Sequence, residues 1–274
     1  MTELGWSDGS RIRFWGDKGK TVIAMHGGPG AVGDMGGLAT ELSRDFYVIE
    51  PWQRVTGSIP VNVDQHIQDL HELINEHCKT DNPILVGHSW GAMLALAYAA
   101  EYPETIKAIA LVGCGTFDEV SRKRFKNTVE ERKIDNFEEK LSRIENEVTD
   151  KSKQMKLKYD LISKAYDVDL INDQSDLNQP FDYPSHKATW DDMMNLMTGG
   201  KYPQEFTKIK VPVAMFHGDY DPHPGKMIFE NLRRFMPQLE YFEFKDCGHS
   251  PWKEKFARND FLRDMKSWLH KNFR

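Results

Sequence analysis

The most constraining feature of this chain is the segment around Ser89, where an apolar run ends in a turn and a helix-forming run begins. Ile84 to Val86 are typical of a buried strand, and Met93 to Ala100 (MLALAYAA) are strong helix formers. The turn between them is the pentapeptide Gly-His-Ser-Trp-Gly. Gly87 and Gly91 carry no side chain that would keep strand and helix apart. The pattern predicts a sharp strand-to-helix turn that exposes the Ser89 hydroxyl.

Two later loops offer the partners that such a hydroxyl needs. A serine is a poor nucleophile at neutral pH, so it requires a base, and the base requires an orienting acid. The apolar run VPVAMF leads into a loop with Asp219 and Asp221, and LEYFEF leads into a loop with His249. We predict Ser89 as nucleophile, Asp221 as acid and His249 as base. Asp219 is the rival acid, and spacing favours Asp221 because it lies further from the strand.

An earlier loop is suited to hold the negative charge that forms on a carbonyl oxygen under attack. Such an oxyanion hole uses two backbone N–H groups. The run Thr21 to Met25 is followed by His-Gly-Gly-Pro-Gly, whose glycines let the backbone approach a substrate. We predict Gly28 and Trp90, the residue after the nucleophile, as the two donors, with Gly27 as the alternative to Gly28.

These motifs together resemble those of the α/β-hydrolases, and HGGPG with GHSWG resembles the prolyl-iminopeptidase-like branch in particular. The resemblance runs from about Arg11 to the C-terminus and is weakest in the middle of the chain. It implies an α/β-hydrolase fold, with HGGPG as the oxyanion loop. It also implies an aminopeptidase activity in which acidic groups hold the free amine of the substrate.

One segment departs from the pattern of that branch. The branch carries Asp-Gln-Arg-Gly-x-Gly-x-Ser after the next strand, and this chain has Trp-Gln-Arg-Val-Thr-Gly in its place. Gln53, Arg54 and Gly57 match, whereas Trp52 replaces the acid and Val55 replaces the first glycine. The departure leaves the predicted scaffold intact, but it favours activity on esters over proline-specific activity on peptides.

Alternating strand and helix signals predict the α/β-hydrolase fold, a mostly parallel central sheet covered by helices on both faces. The predicted strands lie near 11–16, 21–25, 46–50, 83–88, 107–112, 211–216 and 239–244. The predicted helices lie near 64–77, 91–101, 224–235 and 256–271.

The pattern changes in the middle of the chain, which is dense in charged residues and has apolar residues at helical spacing from Phe137 to Val148. We predict a core domain at 1–115 and 203–274, and a helical cap (lid) inserted at 116–202. Such a cap would overhang Ser89, exclude water and select the substrate.

Four residues are predicted to contact substrate: Gly27, Trp52, Trp190 and Met194. The last two belong to a cap stripe of Trp and Met at helical spacing, for which packing is the alternative role. The cap is also rich in aspartates, which either form a solvated face or hold a substrate amine. They are Asp167, Asp169, Asp173, Asp176, Asp182, Asp191 and Asp192.

Composition excludes several functions. The formal net charge of −6 argues against a nucleic-acid partner. No run approaches the roughly 18 apolar residues of a membrane span, and no apolar leader is visible. The three cysteines, Cys78, Cys114 and Cys247, are widely spaced, which fits a reduced cytoplasmic protein without structural zinc. The sequence leaves the oligomeric state open.

The residues favour two-step acyl transfer on a small-molecule ester or a short peptide, with no metal or organic cofactor. Three functions remain open from sequence alone. The first is an aminopeptidase related to the resembled branch, and the second is a carboxylesterase or lactonase acting on small esters. The third is a ligand-binding protein without catalysis, which the intact set of Ser89, Asp221 and His249 disfavours.

Overall fold

The computed structural model describes residues 2–5, 11–57, 61–163, 165–171 and 181–274, the first of these by backbone alone. Within them an eight-stranded sheet has the order β1-β2-β4-β3-β5-β6-β7-β8. The strands are β1 Thr2–Gly5, β2 Arg11–Trp15, β3 Thr21–Met25, β4 Tyr47–Pro51, β5 Ile84–His88, β6 Ala108–Val112, β7 Val213–Gly218 and β8 Leu239–Phe244.

The sheet is parallel from β4 to β8 in this order, whereas β1 and β2 pair antiparallel at one edge. The central strands read as continuous apolar runs because both of their faces are covered. All five residues of β5 and of β6 are buried. Since parallel strands end at the same edge of a sheet, the loops after β3, β5, β7 and β8 gather there.

Helices cover both faces of the sheet and form two hydrophobic clusters. One cluster unites the sheet with α2, α3 and α8, and the other unites it with α1 and α9. Helix α3 is buried along nearly its whole length. The helices are α1 Gly36–Leu42, α2 Val63–His77, α3 Trp90–Glu101, α4 Glu119–Glu131, α5 Phe137–Glu147, α6 Lys151–Ser163, α7 Tyr183–Thr198, α8 Gly225–Leu232 and α9 Arg258–Asn272.

The predicted fold class is confirmed, and each predicted strand and helix has a counterpart within a few residues. Two short elements, β1 and α1, were not predicted. Helix α1 begins with two glycines, which disfavour a helix, and it forms because tertiary packing buries Leu38 and Leu42. Helices α4 to α7 lie between β6 and β7, within the range predicted for the cap. No helix among the described residues has the length and apolar character needed to cross a bilayer.

Candidate active site

Ser89 stands at the turn between β5 and α3. Its backbone has φ 52° and ψ −112°, a strained conformation for a residue with a side chain and one that this type of turn requires. Strand and helix approach so closely that a Cβ on Gly87 would overlap the carbonyl oxygen of Gly91. The Ser89 N–H donates to the Val112 carbonyl at 2.8 Å. The turn is therefore fixed against β6, at the carboxyl edge of the sheet.

Asp221 and His249 meet at the ends of two further strands. Asp221 follows β7, His249 follows β8, and Oδ2 of Asp221 lies 2.7 Å from Nδ1 of His249. The side chain of Asp221 is completely buried and that of His249 is 5% exposed, so this hydrogen bond is shielded from water. Asp219, the rival acid, instead accepts a hydrogen bond from the Cys247 N–H at 3.4 Å. Of the two acids, the structure pairs Asp221 with the histidine.

Burial and charge have opposite effects on the pKa values of Asp221 and His249. Burial alone would raise the pKa of the Asp221 carboxyl, but attraction to the neighbouring histidines outweighs it and holds that pKa well below its ordinary value. Burial alone would lower the pKa of His249, but the charge and the hydrogen bond of Asp221 raise it above its ordinary value. Asp221 is thus ionised at neutral pH, and His249 is a stronger base than a solvated imidazole.

Two more imidazoles surround Asp221. The backbone N–H of His223 donates to Oδ1 of Asp221, and Nδ1 of the His223 ring lies 2.9 Å from the same oxygen. The rings of His223 and His249 stack with centroids 4.9 Å apart. On the other side, Nε2 of His217 lies 3.2 Å from Oδ2. The carboxylate is therefore held in one orientation from three directions.

The same cluster bears on the question of a metal. Among the described residues, the side chains placed to hold an ion jointly are Asp221, His223 and His249. Both rings contact the carboxylate directly, with nitrogen-to-oxygen distances of 2.7 and 2.9 Å. Side chains bonded to one another in this way have their polar atoms satisfied, so the cluster fits an acid–base pair better than a metal centre.

His249 lies against two residues that neighbour the Ser89 turn. The ring of His88, the residue before Ser89, lies 4.7 Å from the His249 ring between centroids. Gly113 follows the Val112 to which Ser89 is bonded, and a Cβ on Gly113 would lie 2.9 Å from Nδ1 of His249. The loops after β5, β6 and β8 therefore meet beside the nucleophile turn.

The glycine loop after β3 faces this turn. A Cβ on Gly27 would lie 2.9 Å from Nδ1 of His88, closer than real Cβ contacts, and 3.2 Å from the Cβ of Ser89. Gly28, with φ 48°, is part of the wall of the adjoining cavity. Trp90 is the first residue of α3, so its backbone N–H has no acceptor within the helix. The two predicted oxyanion donors thus lie on the two segments that flank Ser89.

A cavity of about 260 Å³ opens beside His249 and the glycine loop. Helix α6 forms much of its wall with four side chains at positions i, i+3, i+4 and i+7, which lie on one face of a helix. These four are Lys156, Tyr159, Asp160 and Ser163. The core and the segment after α6 contribute most of the remaining wall: Asp34, His88, Ser250, Lys253, Tyr166, Asp167 and Leu170.

Of the four predicted substrate contacts, one lines this cavity and three do not. Gly27 lines this cavity. Trp52 is 7% exposed and lies in a separate, much smaller cavity, with the guanidinium carbons of Arg11 and Arg13 at 5.4 and 5.6 Å from its ring. Trp190 and Met194 are not part of the cavity wall among the described residues.

The position of the Trp and Met side chains on α7 has a simple physical reason. Trp190 and Met194 pack, partly buried, against the hydrophobic core. Met193 between them is completely buried. The stripe is thus the apolar face with which an amphipathic helix packs on a core.

Of the predicted cap aspartates that the structure describes, one lines the cavity and the others do not. Asp167 lines the cavity, and burial raises the pKa of its carboxyl to about 6. Two cavity acids, Asp34 and Asp160, were missed. The remaining described aspartates have other contacts: Asp169 with Lys255, Asp182 at the start of α7, Asp191 with Lys187, and Asp192 with the Val63 N–H. Asp173 and Asp176 lie outside the described residues.

A buried carboxylate ties the His249 loop to the segment after α6. Glu254 is fully buried, and its Oε1 accepts the backbone N–H groups of Gly248 at 2.9 Å and Val168 at 3.0 Å. Its Oε2 accepts the N–H of Asp169 at 2.9 Å. The His249 N–H in turn donates to the carbonyl of Tyr166 at 3.0 Å. The base is therefore supported by residues 165–171 as well as by the core.

Sequence reasoning missed His223, Glu254 and the lining face of α6. The first two lie two residues after Asp221 and five after His249, so proximity to a predicted catalytic residue is the signal that was available. The four α6 residues have helical spacing, yet a polar helix gives no indication of which face is covered.

Comparison with known proteins agrees with this architecture. The family of the α/β hydrolase fold matches residues 20–256. A proline iminopeptidase-like protein of Mycoplasma pneumoniae is 36% identical over 113 residues, which is 38% of this chain and only 37% of that relative. A cis-3-alkyl-4-alkyloxetan-2-one decarboxylase of Shewanella oneidensis is 24% identical over 88% of this chain and 80% of its own.

Among solved structures, the proline iminopeptidase of Mycobacterium smegmatis superimposes with a TM-score of 0.64 at 15% identity, over 97% of this chain and 96% of the other. At that identity the likeness concerns the fold. The family match covers most of the chain. The chain belongs to the α/β-hydrolase family.

Proposed function

We propose that the protein is a serine hydrolase that cleaves a small acyl substrate through Ser89, His249 and Asp221. His249 accepts the proton of the Ser89 hydroxyl as its oxygen attacks the substrate carbonyl, and Asp221 stabilises the imidazolium that forms. The N–H groups of Gly28 and Trp90 hold the oxyanion. His249 then protonates the leaving group, and water attacks the acyl-enzyme by the same route. This sequence of steps uses no metal or organic cofactor.

The observation that carries the proposal is the buried 2.7 Å hydrogen bond between Asp221 and His249 beside a strained serine turn. Asp221 occupies Nδ1 of the imidazole, which leaves Nε2 for the serine proton. The raised pKa of His249 fits a general base. A buried serine in an ordinary turn would need neither the backbone strain at Ser89 nor a histidine locked against a carboxylate.

The helical insertion is proposed to act as the cap of this site, with 1–115 and 203–274 as the core domain and 116–202 as the cap. In support, α6 forms a wall of the cavity next to His249. A wall of this kind excludes water from the acyl-enzyme and restricts the substrates that reach it. The cavity suits a small molecule. The three cysteines are free and buried, which supports a reducing, cytoplasmic setting.

Two observations favour a substrate with a free amine, and hence the aminopeptidase function. The cavity wall contains three carboxyl side chains, Asp34, Asp160 and Asp167, and such groups attract an ammonium. The departure at Trp52 concerns a buried ring outside this wall, so it does not remove an acid from the cavity. Carboxylesterase or lactonase activity is the second proposal. It is favoured by Lys156 and Lys253, which share the wall and offset part of the negative charge.

The test is hydrolysis of proline p-nitroanilide and p-nitrophenyl butyrate by the wild type and by Ser89→Ala. We expect Ser89→Ala to lose at least about three orders of magnitude in turnover while keeping the fold. Ser142→Ala, an exposed serine on α5, is the matched control and keeps wild-type rates. Normal rates in Ser89→Ala would refute the mechanism. Release from the anilide supports the aminopeptidase, and release from the ester alone supports the esterase.

A further inference from the structure

Gln53 connects the two segments that flank the nucleophile. It follows β4, in the motif whose neighbouring residue Arg54 forms a bidentate ion pair with Asp69. The Gln53 side chain accepts a hydrogen bond from the indole N–H of Trp90 through Oε1. Through Nε2 it donates to the carbonyl oxygen of His26 at 3.1 Å. One side chain therefore holds both the start of α3 and the start of the glycine loop.

The backbone of Gln53 also sets the state of the His26 ring. The Gln53 N–H donates to Nε2 of His26 at 3.0 Å, so this nitrogen carries a lone pair and the proton is on Nδ1. Burial lowers the pKa of His26, which keeps the ring neutral. Nδ1–H then donates to the carbonyl oxygen of Gly27 at 2.9 Å. These two bonds require a single tautomer and a single ring orientation.

Fixing the Gly27 carbonyl fixes the next N–H group. The carbonyl of Gly27 and the N–H of Gly28 belong to one planar peptide unit, and in a trans peptide they point in opposite directions. The cis peptide bond among the described residues is Tyr202–Pro203, so the Gly27–Gly28 bond is trans. With its carbonyl turned towards His26, the peptide turns the Gly28 N–H away from that ring. Gly28 itself lines the cavity.

We propose that Gln53 is a positioning residue that holds both N–H donors of the oxyanion hole, Gly28 through His26 and Trp90 through its indole. The inference rests on the proposed function, because Gly28 and Trp90 are the donors there. Donors fixed before the reaction stabilise the transition state without reorganising, so loosening them slows the chemical step rather than substrate binding.

The test compares oxygen and thiono substrates, in which C=S replaces the reacting C=O. Sulfur is a weak hydrogen-bond acceptor, so a thiono substrate gains little from an oxyanion hole. Gln53→Leu removes both side-chain bonds. Gln53→Glu keeps an acceptor for Trp90, but it places a carboxylate oxygen against the His26 carbonyl. We expect kcat for the oxygen substrate to fall about 30-fold in Gln53→Leu and about tenfold in Gln53→Glu, with KM little changed. The thiono substrate should slow by less than about threefold.

Gln68→Leu is the matched control, since it removes a glutamine that accepts a hydrogen bond from Tyr102, the residue after the C-terminal end of α3, away from the loop. It should leave the oxygen-to-thiono ratio at the wild-type value. Equal slowing of both substrates in the Gln53 variants would overturn the proposal, because a general loss of structure affects both alike. If Gln53→Leu does not fold, the ratio of the rates on oxygen and thiono substrates in Gln53→Glu tests the proposal instead.

Failure of the proposed function gives a different result. A wild-type enzyme that shows no preference for the oxygen substrate lacks the oxyanion hole assigned to Gly28 and Trp90, and the role of Gln53 falls with it. A wild-type preference that the Gln53 variants retain refutes the positioning role alone. The acyl group for both substrates is the one that the wild type hydrolyses in a Ser89-dependent manner.

Discussion

Helices α6 and α7 belong to the same insertion, but one faces the cavity and the other packs on the core. Helix α7 is bonded to the core along its length: its first turn meets the glycine loop, Thr189 meets His66, and Asp192 accepts the Val63 N–H. Helix α6 instead turns four mostly polar side chains into the cavity wall. One helix anchors the insertion, and the other lines the cavity.

The difference shows why apolar side chains are a poor guide to the residues that line a cavity. The Trp and Met residues of α7 suggested a pocket, but large apolar side chains at helical spacing are above all what a helix uses to pack. The polar residues of α6, among them Tyr159 at 52% exposed, are free to face a cavity because the core does not require them. Polar side chains also supply most of the specificity of a small-molecule site.

The largest expected effect concerns the anchoring helix. Met193 is completely buried in the hydrophobic core, so Met193→Ala should lower the free energy of unfolding by about 2–4 kcal/mol. The kcat of the folded fraction should stay near the wild-type value, because Met193 does not line the cavity. Urea denaturation and kinetics at low temperature measure the two quantities. A large loss of kcat with normal stability would contradict the distinction between the helices.

A smaller effect is expected from narrowing the cavity. Ser163→Trp on the lining face of α6 should lower kcat/KM about 30-fold, mainly through KM, and change stability by less than about 0.5 kcal/mol. Ser142→Trp, at an exposed position of α5, is the matched control. Steady-state kinetics with short and long acyl groups measures the effect. Unchanged kcat/KM for all of them would show that α6 does not limit the substrate.

The smallest effect is a shift in pH dependence. His249 accepts a proton only when neutral, so activity rises with pH through its pKa, which lies above the ordinary 6.5 because Asp221 and, to a lesser extent, Asp167 favour the charged ring. Asp167→Asn removes one of these charges. The acid limb of kcat/KM should therefore move to lower pH, with the plateau within about twofold of wild type.

Asp169→Asn is the control for this shift, since Asp169 pairs with Lys255 and is not among the main charges that raise the pKa of His249. Its acid limb should coincide with that of the wild type. A limb that moves to higher pH in Asp167→Asn, or does not move, would show that the segment after α6 has no electrostatic influence on the base.

Patterns within about ten residues predicted most of the fold and the loops that carry the proposed site. The turn at Ser89 was predictable because the local sequence encodes strand, glycine and helix together. Asp221 and His249 were predictable because each follows a strand in a known order. Gln53 was noted only as a motif match. Its bonds to His26 and Trp90 join residues 27 and 37 positions away, and no local pattern encodes them.

The first turn of α7 is fastened to the glycine loop. The Asp182 N–H donates to the Gly30 carbonyl at 2.9 Å, and Nδ1 of His186 lies 3.0 Å from the carbonyl oxygen of Pro29. Two segments joined in this way share their fluctuations, and thermodynamic linkage makes the influence mutual. If the loop holds the oxyanion as proposed, ordering of the loop during each reaction cycle also makes α7 more rigid, because the two are hydrogen-bonded. The rigidity of α7, which lies outside the cavity wall, would then differ between the occupied and the empty site.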